Sequence, residues 1–193
     1  IIDNKLYLHT LYRNKNINFI EVVPCQINDI SQVEKINRDT LPENYPYFFY
    51  KSILDSFSDS FLVAKLKEDT NKIIGYIMWR IEKGISNFGL KVVRKGHLVS
   101  IAVTTQYQGR GVGTALLAKS MSQVKKFAVQ EFVLEVRLSN FKAINLYQSK
   151  FHFEKQKILK HYYKDGENAH YLALQADFIE EQINNYPLAF SNP

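Results

Sequence analysis

Between positions 108 and 114 the chain reads Gln108-Gly109-Arg110-Gly111-Val112-Gly113-Thr114, a spacing of glycines that suits an anion-binding turn. Glycine tolerates positive φ and lets a backbone approach a ligand closely. The run follows an apolar segment and opens one that suits a helix, whose first amides lack internal partners and lie at the positive end of the helix dipole. A Walker loop would need a Lys after the glycines, and none is there; a G-x-G-x-x-G dinucleotide fingerprint does not match either. The competing reading is a glycine-rich turn that merely starts a helix. His97 is the other residue of chemical interest, just before the apolar run 98–103. Its ring either faces a cleft as a base or is a satisfied histidine of a sheet. The single cysteine, Cys25, has no partner base nearby in sequence and reads as a small buried hydrophobe.

These residues need elements to hold them. Residues 17–23 read as a first strand, ended by Pro24 because proline donates no ladder bond. Asn28 or Asp29 would cap a helix with Ile30, Val33 and Ile36 on one face. The segment Leu41-Pro42-Glu43-Asn44-Tyr45-Pro46 breaks that helix, since its prolines restrict the residues before them. A second helix spans 47–57. Strands at 61–66 and 73–81 make a hairpin, and 84–89 is a loop. Residues 91–103 form a strand whose end is nearly all apolar, as in a central strand buried on both faces. Next come a helix over 111–127, a strand over 131–137, and a helix over 141–150 capped by Asn140. Two strands, 154–163 and 169–174, flank Asp165-Gly166, a hairpin-turn signal. The order β-α-α-β-β-β-α-β-α-β-β gives an α/β (α+β) mixed sheet of seven strands with helices on both faces. Residues 1–17 read as an arm, 18–176 as one domain, and 177–193 as a tail with helical character.

Composition narrows the classes. The 193 residues suit one domain, and 46% hydrophobic with 23% charged residues is ordinary for a globular protein. The 12 Tyr and 13 Phe are enough to line a cleft as well as a core. A net charge of +6 is compatible with an anionic cofactor or a ribosome, but the lysines are scattered and no RNA-binding motif appears. No apolar stretch is long enough for a membrane span, and residues 1–18 lack a signal core. The five histidines include no H-E-x-x-H pair, and His161 and His170 read as neighbours across the last hairpin rather than metal ligands.

The pattern Gln108-x-x-Gly111-x-Gly113 resembles the pyrophosphate-binding motif Q/R-x-x-G-x-G/A of the GNAT acetyltransferase superfamily. The topology resembles its fold as well. Five further stretches, in the correct order, resemble the protein N-terminal acetyltransferases of that superfamily, and their archaeal members in particular. They are Leu41-Pro42-Glu43-Asn44-Tyr45-Pro46; Gly96-His97-Leu98-Val99-Ser100-Ile101-Ala102-Val103; Leu134-Glu135-Val136-Arg137-x-Ser139-Asn140; Ala143-Ile144-x-Leu146-Tyr147; and Tyr162-Tyr163-x-Asp165-Gly166-Glu167-x-Ala169. The likeness covers most of the chain, from Phe19 to Leu174.

The resemblance implies acetyl-CoA as cosubstrate and no metal. The parallel strands near 98–103 and 131–137 should splay, with pantetheine between them. Pyrophosphate should rest on the turn formed by Gln108, Gly109, Arg110, Gly111, Val112, Gly113 and Thr114, with Asn140 and Tyr147 as further coenzyme contacts. A backbone N–H among Ile101, Ala102 and Val103 should polarise the thioester carbonyl. His97 and Glu43 are the implied base candidates, for an α-amine whose reference pKa of about 7.7–8.0 asks little of a base. Tyr147 is the implied acid for the departing thiolate. Leu41, Pro42, Glu43 and Tyr45 should line the peptide site, with Tyr162 and Tyr163 opposite; strand alternation favours Tyr163 alone as entering it. The expected function is acetyl transfer, by direct attack in a ternary complex, to N-termini beginning with small residues or Met. Nascent chains near a cytoplasmic ribosome are the implied partners, with the enzyme monomeric or weakly oligomeric. Two alternatives stand beside it: acetylation of lysine side chains or small-molecule amines, and a non-catalytic CoA-binding regulatory subunit.

Overall fold

The computed structural model describes residues 18–177. The arm at 1–17 and the helix expected beyond Asp177 lie outside the described residues. One seven-stranded sheet organises the rest, in the order β1-β2-β3-β4-β5-β7-β6. The strands are β1 (Ile20–Pro24), β2 (Phe61–Leu66), β3 (Ile73–Ile85), β4 (Val92–Val103), β5 (Glu131–Arg137), β6 (Glu154–Leu159) and β7 (Ala169–Gln175). Pro24 ends β1 on the sheet's edge, where a missing N–H donor is tolerated.

Helices cover both faces. α1 (Ile30–Thr40) and α2 (Tyr47–Ser56) bury Ile30, Val33, Ile36, Tyr50 and Ile53 against Val63, Tyr76 and Met78. On the other face α3 (Val112–Val124) and α4 (Phe141–Ile144) pack on a larger core that includes Leu62, Ile77, Trp79, Phe132 and Leu172. Several of the polar groups sealed in these cores are paired, as burial favours. The Trp79 indole donates to Ser120 at 2.9 Å. Asn37 donates to the Tyr76 hydroxyl at 2.8 Å, which meets Ser100 at 2.7 Å. Cys25 is 2% exposed, and burial pushes its thiol up to about 12, consistent with an inert small hydrophobe.

The strands that matter most are β4 and β5. They pair in parallel only at Lys95↔Glu131, Gly96↔Phe132 and His97↔Val133. Beyond His97 they part, which is the expected splay. The β3–β4 register shifts between Met78↔Ser100 and Trp79↔Leu98, so Val99 is an extra residue in β4 at the point of divergence. A bulge of this kind bends its strand and re-aims the residues after it.

Several local expectations are corrected. β3 runs on to Ile85, and the loop follows it at 86–91. Glu131, 2% exposed, accepts from Asn87 N at 3.0 Å and Asn87 Nδ2 at 2.8 Å, and so fastens that loop to β5. Neither Asn28 nor Asp29 caps α1 through its side chain; a 3-10 turn, Ile27–Asp29, precedes it, and the Asp29 carboxylate reaches back to Gln26 N at 3.0 Å. The helix after Asn140 is α-helical only to Ile144, then continues as a π-turn, Asn145–Lys150. β6 stops at Leu159, because His161 adopts φ 50° and turns the chain out of the sheet. His170 therefore pairs with Ile158, and His161 sits in the loop against the Gly166 carbonyl at 3.2 Å. Asp165-Gly166 makes its turn inside a long 160–168 loop, with Gly166 N bonded to Tyr163 O at 2.9 Å. No described helix is long and apolar enough to cross a membrane.

Candidate active site

The 108–114 turn has the conformation its glycines suggested. Gly109 has φ 74°, and Gly111, the N-cap of α3, has φ 93°. A Cβ on Gly109 would meet nothing within 4 Å. The turn is tied to the end of β4 by Gln108 Nε2, which donates to the Val103 carbonyl at 3.0 Å. Arg110 lies over the Tyr107 ring, 5.3 Å from its centroid. The π-turn packs alongside: Leu146 Cδ2 would lie 3.8 Å from a Cβ on Gly113, and Lys150 Nζ donates to Thr114 Oγ1 at 3.4 Å. A positive charge therefore stands beside helix amides already suited to an anion.

From this turn the gap between β4 and β5 leads inward. The Thr104 amide donates to Ile74 O at 2.9 Å. Strand amides alternate sides, so those of Ile101 and Val103 point away from β3, toward the gap. Ala102 points the other way. Asn140 caps α4 through its Oδ1, which accepts from Ala143 N at 3.1 Å. Tyr147 is 5% exposed in the π-turn, edge-on to Phe153, and burial holds its phenol above the ordinary range.

At the inner end His97 is 8% exposed and both ring nitrogens are engaged. Nε2 lies 2.7 Å from Glu135 Oε2. Nδ1 lies 3.1 Å from Glu82 Oε1 and 3.0 Å from an Arg80 nitrogen. The neutral ring with its proton on Nε2 donates to Glu135 and accepts from Arg80. The charged ring donates to both carboxylates and loses the Arg80 bond. Burial opposes the charge, but the bonds to Glu135 and Glu82 outweigh both burial and Arg80, and the pKa of His97 is raised. His97 is thus satisfied within the sheet, and through Nε2 it is paired with the Glu135 carboxylate.

The residues expected to line a peptide site gather around two centres. The Tyr162 hydroxyl lies beside Glu135, and burial, then that charge, pushes it up to about 12. Tyr163 stacks on the Arg137 guanidinium, 3.9 Å from ring centroid to Cζ. Arg137 also pairs with Glu43, with Asp165 at 2.7 Å and with Glu167 at 2.7 Å. Because 160–168 is a loop, strand alternation does not separate the two tyrosines. Their rings meet edge to face at 5.1 Å, and the alternation argument for Tyr163 alone does not apply. Tyr45 reaches the bulge through its hydroxyl, 3.4 Å from Val99 O, and stacks on Phe49. Leu41 packs against the core beneath α1 and α2, while Pro42 is exposed.

Four residues of this site were not singled out by sequence reasoning: Glu135, Glu82, Arg80 and Arg137. Glu135 and Arg137 did carry a signal, as charges two apart that interrupt the apolar run Phe132, Val133, Leu134 and Val136 of β5. Arg80 and Glu82 carried none. Only the cross-strand register, Arg80↔His97, brings them to the ring.

Residues 30–153 match the Acetyltransferase (GNAT) family. The chain belongs to the GNAT acetyltransferases. A protein of Sulfurisphaera tokodaii named N-alpha-acetyltransferase is 48% identical over 152 residues, which is 77% of this chain and 89% of that one. One of the same name from Sulfolobus acidocaldarius is 44% identical over 162 residues, or 82% and 94% of the two chains. A solved NatC complex bound to Gag peptide and CoA superposes with a TM-score of 0.74 at 23% identity, over 81% of this chain and 98% of that chain, and so shares the GNAT fold.

Proposed function

We infer that this chain is an N-alpha-acetyltransferase that moves acetyl from acetyl-CoA to the α-amine of polypeptide ends. One observation carries the reading: the gap opening past His97↔Val133 runs from the positive-φ turn at 109–111 to the His97–Glu135 pair. The names of relatives 44–48% identical support it.

Acetyl-CoA supplies a thioester whose carbonyl accepts the amine. Amides of Gly111, Val112, Gly113 and Thr114, with Lys150 beside them, suit its pyrophosphate. The amides of Ile101 and Val103 are the donors free to stabilise negative charge developing on the carbonyl oxygen. The His97–Glu135 pair takes the proton of the α-ammonium through one water, and Glu135 and Glu43 hold that cation before it is lost. Tyr147, neutral at every physiological pH, is the acid for the leaving thiolate. Leu41, Pro42, Tyr45, Tyr162 and Tyr163 enclose the first residue. The site suits small residues or Met at that position, and nascent chains are the natural source of such ends.

The test is mass spectrometry on peptides beginning Ser-, Ala- or Met-Leu-, each carrying one internal Lys, with acetyl-CoA. The expected product is a single acetyl group on the α-amine, abolished when that amine is blocked. Acetate on the internal lysine would overturn the assignment in favour of side-chain acetylation. Tight CoA binding with no turnover on any peptide would point to a regulatory subunit.

A further inference from the structure

We propose that Arg137 is the positioning residue of the peptide mouth: it latches the 41–46 loop to the 160–168 loop and thereby sets affinity for the incoming chain end. The proposal rests on the N-alpha-acetyltransferase reading and names a determinant of that same site.

Arg137 is the last residue of β5, on the strand's free flank beyond the point where β4 departs. Its guanidinium meets two segments. One terminal nitrogen takes Glu43 from the loop between α1 and α2. The other takes Asp165 and Glu167, both at 2.7 Å, from the loop between β6 and β7. The Tyr163 ring covers the guanidinium plane at 3.9 Å. Among the described residues no hydrogen bond or ion pair joins the two loops directly; the connection runs through Arg137.

Each loop has its own tie to the sheet or its margin, Tyr45 Oη to Val99 O at 3.4 Å and Ser139 N to Glu167 Oε1 at 2.9 Å, but among the described residues Arg137 alone bonds both. The Arg137 side chain is 14% exposed, whereas its carboxylate partners are 28–57% exposed. A buried cation thus gathers carboxylates that would otherwise repel one another, and only a planar fork with several donors can bind them at once while stacking on a ring. The Glu43 carboxylate and the Tyr163 ring, which face the first substrate residue in the proposed site, are both oriented by it. The bonds described for the phosphate turn run instead to Val103 and Lys150, at the far end of the gap.

Steady-state kinetics on a Ser-starting peptide test the latch. R137Q should raise the peptide KM by about tenfold or more while leaving the acetyl-CoA KM within about twofold. R137K, which keeps charge but not the fork, should recover part of the loss. The surface-loop variant D165N/E167Q should raise the peptide KM by itself, yet add little on top of R137Q, because a latch already open cannot be opened again. A merely structural role for Arg137 predicts additive losses, with both KM values rising together as the melting temperature falls; that result, or an unchanged peptide KM in R137Q, overturns the proposal alone. A wild-type enzyme inactive on every peptide with a free α-amine overturns the parent reading, and the latch falls with it.

Discussion

The Nδ1 atom of His97 sits between a group that can only donate, Arg80, and one that only accepts when ionised, Glu82. Gain or loss of one proton therefore exchanges partners without moving the ring. Nε2 stays on Glu135 in both states. This makes Glu135 the residue on which the titration of His97 depends most among its favourable partners. In E135Q the neutral amide no longer stabilises the imidazolium, so the His97 titration followed by NMR should move toward acid pH. The kcat should fall by about 10²-fold or more, the usual worth of a positioned acid–base group. An unmoved titration would show that the two residues are not coupled. His97 was legible as a candidate because of its place before an apolar run. Its partners come from other strands, and their distance in sequence hid them.

At the scale of elements the 108–114 turn and α3 act together. Helix amides need a ligand-facing approach, and Gly111 provides it by holding φ 93° at the N-cap. A β-branched residue there costs about 1–3 kcal/mol in backbone strain and puts methyl groups over the amides. Gly111→Val should therefore weaken acetyl-CoA binding in calorimetry by at least about tenfold, beyond any loss of melting temperature, since every 1.4 kcal/mol is a factor of ten. Unchanged affinity would remove the turn from the coenzyme site. The start of α3 was readable from glycine spacing; its end was not, since the α-helix stops at Val124 and a 3-10 turn, Lys125–Phe127, follows. The π-turn at Asn145–Lys150 was not readable either: its widened geometry follows from packing Leu146 and Tyr147 against the neighbouring elements, and nothing in the local pattern distinguishes it from an α-helix.

Across the whole molecule, two buried charge sites at the β4–β5 junction give stability opposite dependences on pH. Burial works against the Glu131 carboxylate, but Ser86, Asn87 and Lys95 overcome it and its pKa is lowered. Its contribution is present above the ordinary carboxylate range and is lost as pH falls through the depressed value. His97, with a raised pKa, contributes fully below its unfolded value and loses that contribution as pH rises through the folded one. His170, whose pKa is lowered by burial and by Lys155, opposes His97 near neutrality, so the wild-type curve alone does not separate them. Differences between variants do. The melting-temperature gap between wild type and E131Q should shrink as pH falls from about 6 to 3, and that between wild type and H97Q should shrink as pH rises from about 6 to 9. Constant gaps would mean that neither group changes charge as it does in the fold described.

By itself the sequence determined the order of elements, the phosphate-suited turn, the family, and His97, Glu43 and Tyr147 as residues to watch, because these rest on local spacing, glycine conformation and short motifs. Tertiary structure decided where β4 leaves β5, which carboxylates meet His97, and that Glu43 is held by Arg137. Those facts depend on strand register and on a one-residue bulge at Val99, which couple residues 15 to 94 positions apart. A single slip of register would turn every one of those side chains to the opposite face, so no reading of neighbours along the chain can supply them.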